Sequence, residues 1–481
     1  MKFLKNDKEN DVLRLIKLNH DLDLTVTWNY LIRYYLEHGR INTAVGAYNS
    51  MKKYGHFPNA YTYTILLNGL AANYEKGGRG KLTWIVPKLL QDKHVTPSTI
   101  HLNAVLNICV KLKDSSLVYE YLEAFRAAGV EEEDTQTYDV LFKLFRTLIA
   151  GEERPGMTRV KAPDRQLTPA ARQTLDDAIG VWQDVEAKWR TKHLTVDSRL
   201  LYGYATTLEK GTVEDVNRAL GAICLMCELP IHPTSKTSDA SDASKGAEKK
   251  TKLGNRVDLS VQLKTLLLNL AETLGDPEVV EHYWTLTRTL SSEDMAVETY
   301  EARLRSLKVA GDPAAAILIL ADMKSRKIGI RPKTIFLALQ CCFSKDTTED
   351  LRRANNLVKT YVEDSKLASY MTIPVLTTFC RFVAAGRSDQ DIHTGVKLLD
   401  KLDWKQIAEQ CQTVPHHKQR LRETLEHLSK RAKYWMRSVK GNKNLEILFK
   451  RLVRRLNAVQ KDFYPEDYSA RVKSGAPSPA G

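Results

Sequence analysis

Thr25-Val26-Thr27-Trp28-Asn29 opens a register that returns at Ala60-Tyr61-Thr62-Tyr63-Thr64, at Thr99-Ile100-His101-Leu102-Asn103 and at Thr135-Gln136-Thr137-Tyr138-Asp139. The four starts lie 35, 39 and 36 residues apart, inside the range where each repeat is one helical hairpin. Within the first repeat, Trp28, Leu31, Ile32 and Leu36 form one apolar stripe at helical spacing, and Ala44, Val45, Tyr48 and Met51 form a second. Gly39 and Gly55 stand where those helices must end, because a residue without Cβ enters a left-handed turn freely. A lone hairpin leaves its apolar face uncovered, so the hairpins must stack, and stacking creates an extended surface.

Working outward, helical apolar spacing continues to both ends of the 481-residue chain. The expected class is all-α: a solenoid of about eight or nine stacked hairpins closed by a basic helical module. Residues 1–24 read as a lead-in helix, 25–134 as three well-formed repeats, and 135–234 as degenerate repeats with an insertion at 149–172. Gly77-Gly78-Arg79-Gly80-Lys81 reads as a solvated insertion between the helices of the second repeat. Residues 235–254 hold Ser, Lys, Ala and Asp without a large apolar group, too little to offset ordering entropy, and read as a disordered linker. Degenerate hairpins follow over 255–402, with Thr299-Tyr300-Glu301, Gly311, Met323 and Arg331-Pro332-Lys333 repeating the landmarks of the first repeat. A basic helical tail spans 403–465, and 466–481 reads as a disordered end.

The formal charge is +14, and Pro415 to Lys461 alone holds 14 basic and 3 acidic residues, a net +11. A block this local points to an anionic partner. No stretch of about 18 uncharged apolar residues exists, so no membrane span is expected. The seven Cys lie in helical stretches without a disulfide spacing, which fits a reducing compartment. Met1-Lys2-Phe3-Leu4-Lys5-Asn6-Asp7 resembles neither a secretory nor an organellar leader: either the protein is not imported, or its numbering starts after a removed leader.

The order aromatic, Asn, Gly39, Ala44, Met51, Gly55, Pro58, Asn59 resembles the pentatricopeptide repeat. The likeness is good over 25–134, fair near 297–333 and weak elsewhere. The interrupted repeats, linker and basic tail resemble divergent fungal mitochondrial members that act on small-subunit ribosomal RNA or intron-containing transcripts. Tetratricopeptide hairpins are the structural rival, but they place Gly and Ala inside the first helix and carry basic carboxylate clamps. Here Pro58-Asn59 precedes an aromatic cap, and short polar residues occupy the groove.

The resemblance implies a PPR-type superhelix that binds single-stranded mitochondrial rRNA or mRNA in the matrix, the leader being absent from the numbered chain. It implies a role in RNA processing, splicing, stability or small-ribosomal-subunit maturation. The alternatives are a structural protein of the mitochondrial ribosome and a peptide-binding scaffold. Helical repeats of this kind read about one base each with two or three side chains. In the family the fifth and last residues of a repeat form the reading pair and the second packs on the base. Carried over, the pairs are Asn29 with Asn59, Thr64 with Ser98, and Asn103 with Asp134, with Val26, Tyr61 and Ile100 as packing residues. The family's code for these pairs gives pyrimidine–purine–uracil. Taken singly, each polar residue also suits an ordinary helix cap, and only their recurrence favours reading. Asp139 departs from the pattern, since a carboxylate beside a phosphate path is unfavourable.

Phosphate contacts are expected from Arg33, Arg79, Lys81, Lys430, Arg431, Lys433, Arg437, Arg451, Arg454 and Arg455. Tyr434 and Trp435 sit among the tail cations, as stacking platforms or with one of them in the core. No metal, cofactor or catalytic set is expected. The glycine run lacks Gly-x4-Gly-Lys-Ser/Thr spacing, Cys224 and Cys227 have no second pair, and His416, His417 and Cys411 make a poor metal trio. Asp346, Glu349 and Asp350 fall at a helix start, where acids complement the dipole.

Overall fold

The computed structural model describes residues 9–464 apart from 20–21, 77, 131–132, 153–160, 234–253, 290–294, 344–346, 363–366, 413 and 439–442. The expected disordered segments, 235–253 and 466–481, lie outside the described residues. Gly254 does not: it packs on Trp189, where an added Cβ would meet the Trp189 carbonyl oxygen at 2.4 Å. The regular elements of the described residues are all helices, with no strand among them.

Contacts divide the chain into two units, Met1–Leu274 and Gly275–Gly481. The first contains α1 (Glu9–Leu18), α2 (Thr25–Glu37), α3 (Ile41–Lys53), α4 (Ala60–Ala72), α5 (Gly78–Leu90), α6 (Thr99–Leu112) and α7 (Ser115–Ala127). It continues with α8 (Thr135–Glu152), α9 (Pro169–Arg190), α10 (Ser198–Leu208), α11 (Val213–Cys227) and α12 (Val261–Leu274). The even-numbered helices α2 to α10 pack side by side in one row, and each also pairs with the helix that follows it. The first helices are therefore the tighter layer, and in a stacked array the tighter layer lies inside the curve. Close approach is visible at Gly69 of α4, where an added Cβ would lie 2.8 Å from Leu36 Cβ of α2.

Three boundaries differ from expectation. The lead-in helix ends at Leu18, not residue 24. Residues 78–81 are the first turn of α5 and not an insertion, because the apolar stripe Leu82, Ile85, Val86, Leu89 starts immediately after and draws the turn into the helix. The first helix of the fourth repeat runs to Glu152, past the expected break after Leu148, since Ile149 is buried and extends its apolar face.

The second unit contains α13 (Pro277–Thr289), α14 (Val297–Ala310), α15 (Pro313–Ser325), α16 (Pro332–Cys341), α17 (Thr347–Tyr361), α18 (Leu367–Tyr370), α19 (Ile373–Ala385) and α20 (Asp389–Asp400). It ends with α21 (Trp404–Cys411), α22 (Pro415–Ser438) and α23 (Lys443–Phe463). Here the inner row is α14, α16, α19, α22. The basic tail thus continues the stack: α22 takes the place of a first helix and α23 packs on α20 as a second helix. Leu421, Leu425, Leu428 and Ala432 bury one face of α22, and Phe449, Leu452, Val453 and Leu456 one face of α23.

Candidate nucleic-acid interface

The fourth residue of each first helix is an anchor. Trp28, Tyr63, Leu102, Tyr138 and Tyr300 are all buried. A buried tyrosine hydroxyl needs a partner, and three of them find an aspartate contributed by the second half of their own repeat. Tyr63 donates to Asp92 at 2.6 Å, Tyr300 to Asp322 at 2.9 Å, and Tyr138 to Asp184. Burial, reinforced by these bonds, pushes the Tyr63, Tyr138 and Tyr300 hydroxyls far above the usual phenol range. The sequence reading missed this device, because the aspartates stand at unequal distances from their tyrosines and only the hairpin brings them together.

With the fourth residue fixed inward, its neighbours are placed by helix geometry. The second residues point out: Val26, Tyr61 and Ile100 are 64%, 52% and 62% exposed. The fifth residues, three positions on and so on the same side of the helix as the second, lie at the groove floor, where Asn29 and Asn103 are only 3% and 4% exposed. Asn29 Nδ2 donates to Asn59 Oδ1 at 3.5 Å, and Asn103 Nδ2 donates to Asp134 Oδ1 at 3.1 Å. Both expected pairs are thus assembled across the boundary between successive repeats. Each leaves the same remainder, since Asn29 Oδ1 and Asn103 Oδ1 are buried acceptors without a hydrogen bond. An orphaned buried acceptor costs about 1–3 kcal/mol, which an incoming donor recovers.

The last residues serve as caps as well. Asn59 Oδ1 accepts from the Thr62 amide at 2.9 Å and Asp134 Oδ1 from the Thr137 amide at 2.7 Å. Burial acts to raise the Asp134 carboxyl, but bonds from Thr137 and Asn103 outweigh it and hold the group below its usual range. Asp134 is therefore an ionised, acceptor-only group at neutral pH.

The second pair is not assembled in this way. Thr64 Oγ1 donates to the Ala60 carbonyl at 3.0 Å, while Ser98 turns to His101 Nδ1 at 3.0 Å. His101 is 1% exposed, and its Nε2 reaches the same Ala60 carbonyl at 2.9 Å. A carbonyl only accepts, so Nε2 carries the proton and Nδ1 accepts from the Ser98 amide at 3.2 Å. Burial lowers the His101 pKa. A base depressed on folding contributes stability that is present above its unfolded value of about 6.5 and is lost as pH falls toward the folded value. Thermal melts should show the wild type losing more stability between pH 7 and pH 5 than His101→Gln, with equal pH dependence as the contrary result.

At the fourth repeat, Asp139 is paired with Arg199 of α10 at 2.6 Å, which neutralises the unfavourable carboxylate. In the second unit the same positions hold charge pairs. Glu301, 1% exposed, is bonded by Lys333 at 2.9 Å and Thr334 at 3.1 Å, and Glu298 by Arg331 at 2.6 Å.

The expected phosphate-contacting residues split into groups. Arg33 donates to the Tyr61 hydroxyl beneath the groove rim, and Lys81 is half-buried in the first turn of α5. In the tail, Arg431 Nε donates to the Ala384 carbonyl at 2.6 Å, Arg451 pairs with Asp400 at 3.2 Å, and Arg455 bonds the Asp400 and Leu402 carbonyls. These three spend donors on docking α22 and α23 against α19 and α20, because the exposed ends of those helices present free carbonyls. Lys430 pairs with Glu426 at 2.9 Å, Arg454 is exposed and Lys433 is half-exposed. The side chains of Arg79 and Arg437 lie outside the described residues. Trp435 is buried against Phe449, whereas Tyr434 is 59% exposed beneath Arg431. All seven Cys are buried and none is in a disulfide. Among the described residues no His, Cys, Asp and Glu cluster is placed to hold a metal, and no helix is long and apolar enough to cross a membrane.

Residues 24–72 match the family model of the PPR repeat family, over the helices that carry Asn29, Asn59 and Tyr63. Over that stretch the chain carries a repeat of the pentatricopeptide type. Its relatives include the mitochondrial pentatricopeptide repeat-containing protein 2 of Schizosaccharomyces pombe, 20% identical over 70% of this chain and 74% of that protein. A pentatricopeptide repeat-containing protein of Arabidopsis thaliana is 32% identical over 19% of this chain and 10% of its own length. Among solved structures it resembles the pentatricopeptide repeat protein PPR10 in complex with an 18-nucleotide psaJ RNA element. That likeness has 12% identity, 98% coverage of this chain, 79% of the other and a TM-score of 0.27. In the pentatricopeptide register, repeats one and three hold assembled polar pairs, repeat two has its Ser98 drawn to His101 instead, and repeat four holds an ion pair.

Proposed function

We propose that this protein binds single-stranded RNA along the first-helix row of its N-terminal unit, and does so without catalysis. The observation that carries the reading is the coincidence, in repeats one and three, of an orphaned buried amide oxygen with an exposed apolar side chain three residues earlier. An unpaired base offers both complements: donors on its edge and a flat apolar face. Asp134, as an ionised acceptor, favours a base with a ring N–H, and uracil meets this together with the amide at Asn103. Asn59 commits its oxygen to the helix cap, so its amide nitrogen is what a base meets, which suits the carbonyls of a pyrimidine. Repeat two, tied to its own backbone, adds stacking at Tyr61 more than edge recognition.

The name of the fission-yeast relative supports a mitochondrial location. The reading extends to a mitochondrial ribosomal or messenger RNA whose processing, stability or small-subunit maturation the protein assists. In the repeat that begins at Val297, the Glu298 and Glu301 pairs leave no amide or hydroxyl for a base at the second and fifth positions, so reading is proposed for the N-terminal unit. Anisotropy titrations against labelled ten-nucleotide RNAs at 150 mM salt provide the test. Oligomers holding pyrimidine–any–uracil should bind at least about tenfold tighter than poly(A), a difference near 1.4 kcal/mol. Equal affinity for all of them would overturn the reading.

A further inference from the structure

At the end of the reading row nearest the fourth repeat, α6 and α8 enclose a shallow hollow of about 390 Å³ lined by Lys113, Lys143, Arg146, Thr147, Ala150 and Gly151. Three of the six are cations and none is an acid. We propose that this hollow is a phosphodiester clamp, which grips the RNA backbone as it leaves the reading pairs and so fixes which nucleotides meet them. The proposal deepens the RNA-binding reading above and rests on it.

Several arginines of the unit are committed to ion pairs. Arg40, Arg126, Arg172, Arg190 and Arg218 are each paired with a carboxylate. Among the described residues, Lys113 and Lys143 are exposed and the lining of the hollow holds no carboxylate, while half-buried Arg146 bonds neutral oxygens, those of Phe142 and Thr206. A helix dipole explains Lys113, at the end of α6, but not the other two. Lys143 and Arg146 stand more than a turn before α8 ends at Glu152, beyond the reach of the terminal partial charge.

Their placement follows from the helix. Lys143 is four residues after Asp139, hence on the same face of α8 and about 6 Å further along the axis. Arg33 occupies the equivalent place four residues after Asn29, whereas repeats two and three put Asn68 and Asn107 there. Cations thus stand at the two ends of the row and amides between them. An RNA with bases along repeats one to three meets positive charge within the first of them and just past the last, and a strand shifted by one repeat loses one end. Asp139, already neutralised by Arg199, adds no repulsion where the backbone passes.

The test is a salt titration of RNA binding with Lys113→Asn, Lys143→Gln and Arg146→Gln combined, compared with Asn29→Ala/Asn103→Ala. Asn suits the left-handed backbone of Lys113 (φ 55°), so the first change does not burden the fold. A Lys113→Asn/Lys143→Gln double variant, altering exposed side chains only, guards against loss of folding at Arg146. A single-strand contact contributes roughly 0.7 to the slope of log K against log salt, so the triple variant should flatten it by about 2. That corresponds to about 100-fold weaker binding at 0.1 M salt, with unchanged preference among oligomers. Sodium phosphate at matched ionic strength should compete no better than chloride if the clamp needs a strand; selective displacement would reassign it to free phosphate. An unchanged slope in both variants overturns the clamp while leaving the reading pairs intact. Loss of preference in the Asn variant with an unchanged slope marks the reading pairs as separate from it. A wild type without any preference sinks the reading itself.

Discussion

Trp182→Ala should destabilise the N-terminal unit by about 3–5 kcal/mol, the range for removing a fully buried aromatic side chain. Trp182 is 3% exposed, and its ring lies 4.1 Å from Tyr204 with planes 2° apart. Phe142 sits 6.0 Å from it and 5.5 Å from Tyr204, with Phe145 adjoining. These four rings come from α8, α9 and α10, the repeats whose sequence is least regular. They form the cluster that joins the well-formed repeats to α11. Stacking adds about 0.5–1.5 kcal/mol beyond buried area, and the space left behind is walled by rigid rings that cannot collapse into it. The midpoint of thermal unfolding should fall by roughly 6–20 °C, given about 2–4 °C per kcal/mol for a unit of this size. Trp182→Phe should recover most of the loss. A midpoint shift of under about 2 °C for Trp182→Ala would show that the fourth and fifth repeats are held by something other than this cluster.

Asn29→Ala with Asn103→Ala should weaken binding of the preferred RNA by roughly 10–100-fold and leave the affinity for poly(A) nearly unchanged. Each substitution removes an amide that offers an orphaned acceptor to a base, worth about 0.5–1.5 kcal/mol per hydrogen bond, and more where the base's own donor is left buried and unpaired. The same change removes the orphaned oxygens from the unbound protein, so the variant should be no less stable than the wild type, and by the recovered desolvation cost somewhat more. A site that gains stability when it loses function separates a reading role from a structural one. The measurement is paired: anisotropy for affinity and thermal melting for stability. A variant that melts well below the wild type and binds RNA equally well would make Asn29 and Asn103 interior packing residues.

Much of this was legible in the chain. Periodicity near 36 residues gave the hairpins, the aromatic or leucine at the fourth position gave the inward face, and Pro58-Asn59 gave the boundary between repeats. The pairs Asn29–Asn59 and Asn103–Asp134 could be written down because a hairpin array places the end of one repeat beside the start of the next. Thr64 with Ser98 was equally writable, yet it is not formed. His101 supplies a stronger cap for Ser98 than a threonine hydroxyl does, and no spacing rule announces that competition. The tail shows the same gap. Its charge could be counted, but which cations dock and which stay open depends on where Ala384, Asp400 and Leu402 leave free carbonyls.

By itself the sequence determined the all-helical class, the helix starts at Thr25, Ala60, Thr99 and Thr135 and the faces of the first helices, since these follow from local periodicity and from residues that terminate helices. Only the tertiary structure decided the Tyr–Asp anchors, the aromatic cluster around Trp182, the two unsatisfied amide oxygens and the cationic hollow between α6 and α8. Each of those depends on groups tens of residues apart meeting at a few ångströms, and the unequal hairpin lengths of this chain hide such meetings from any fixed spacing.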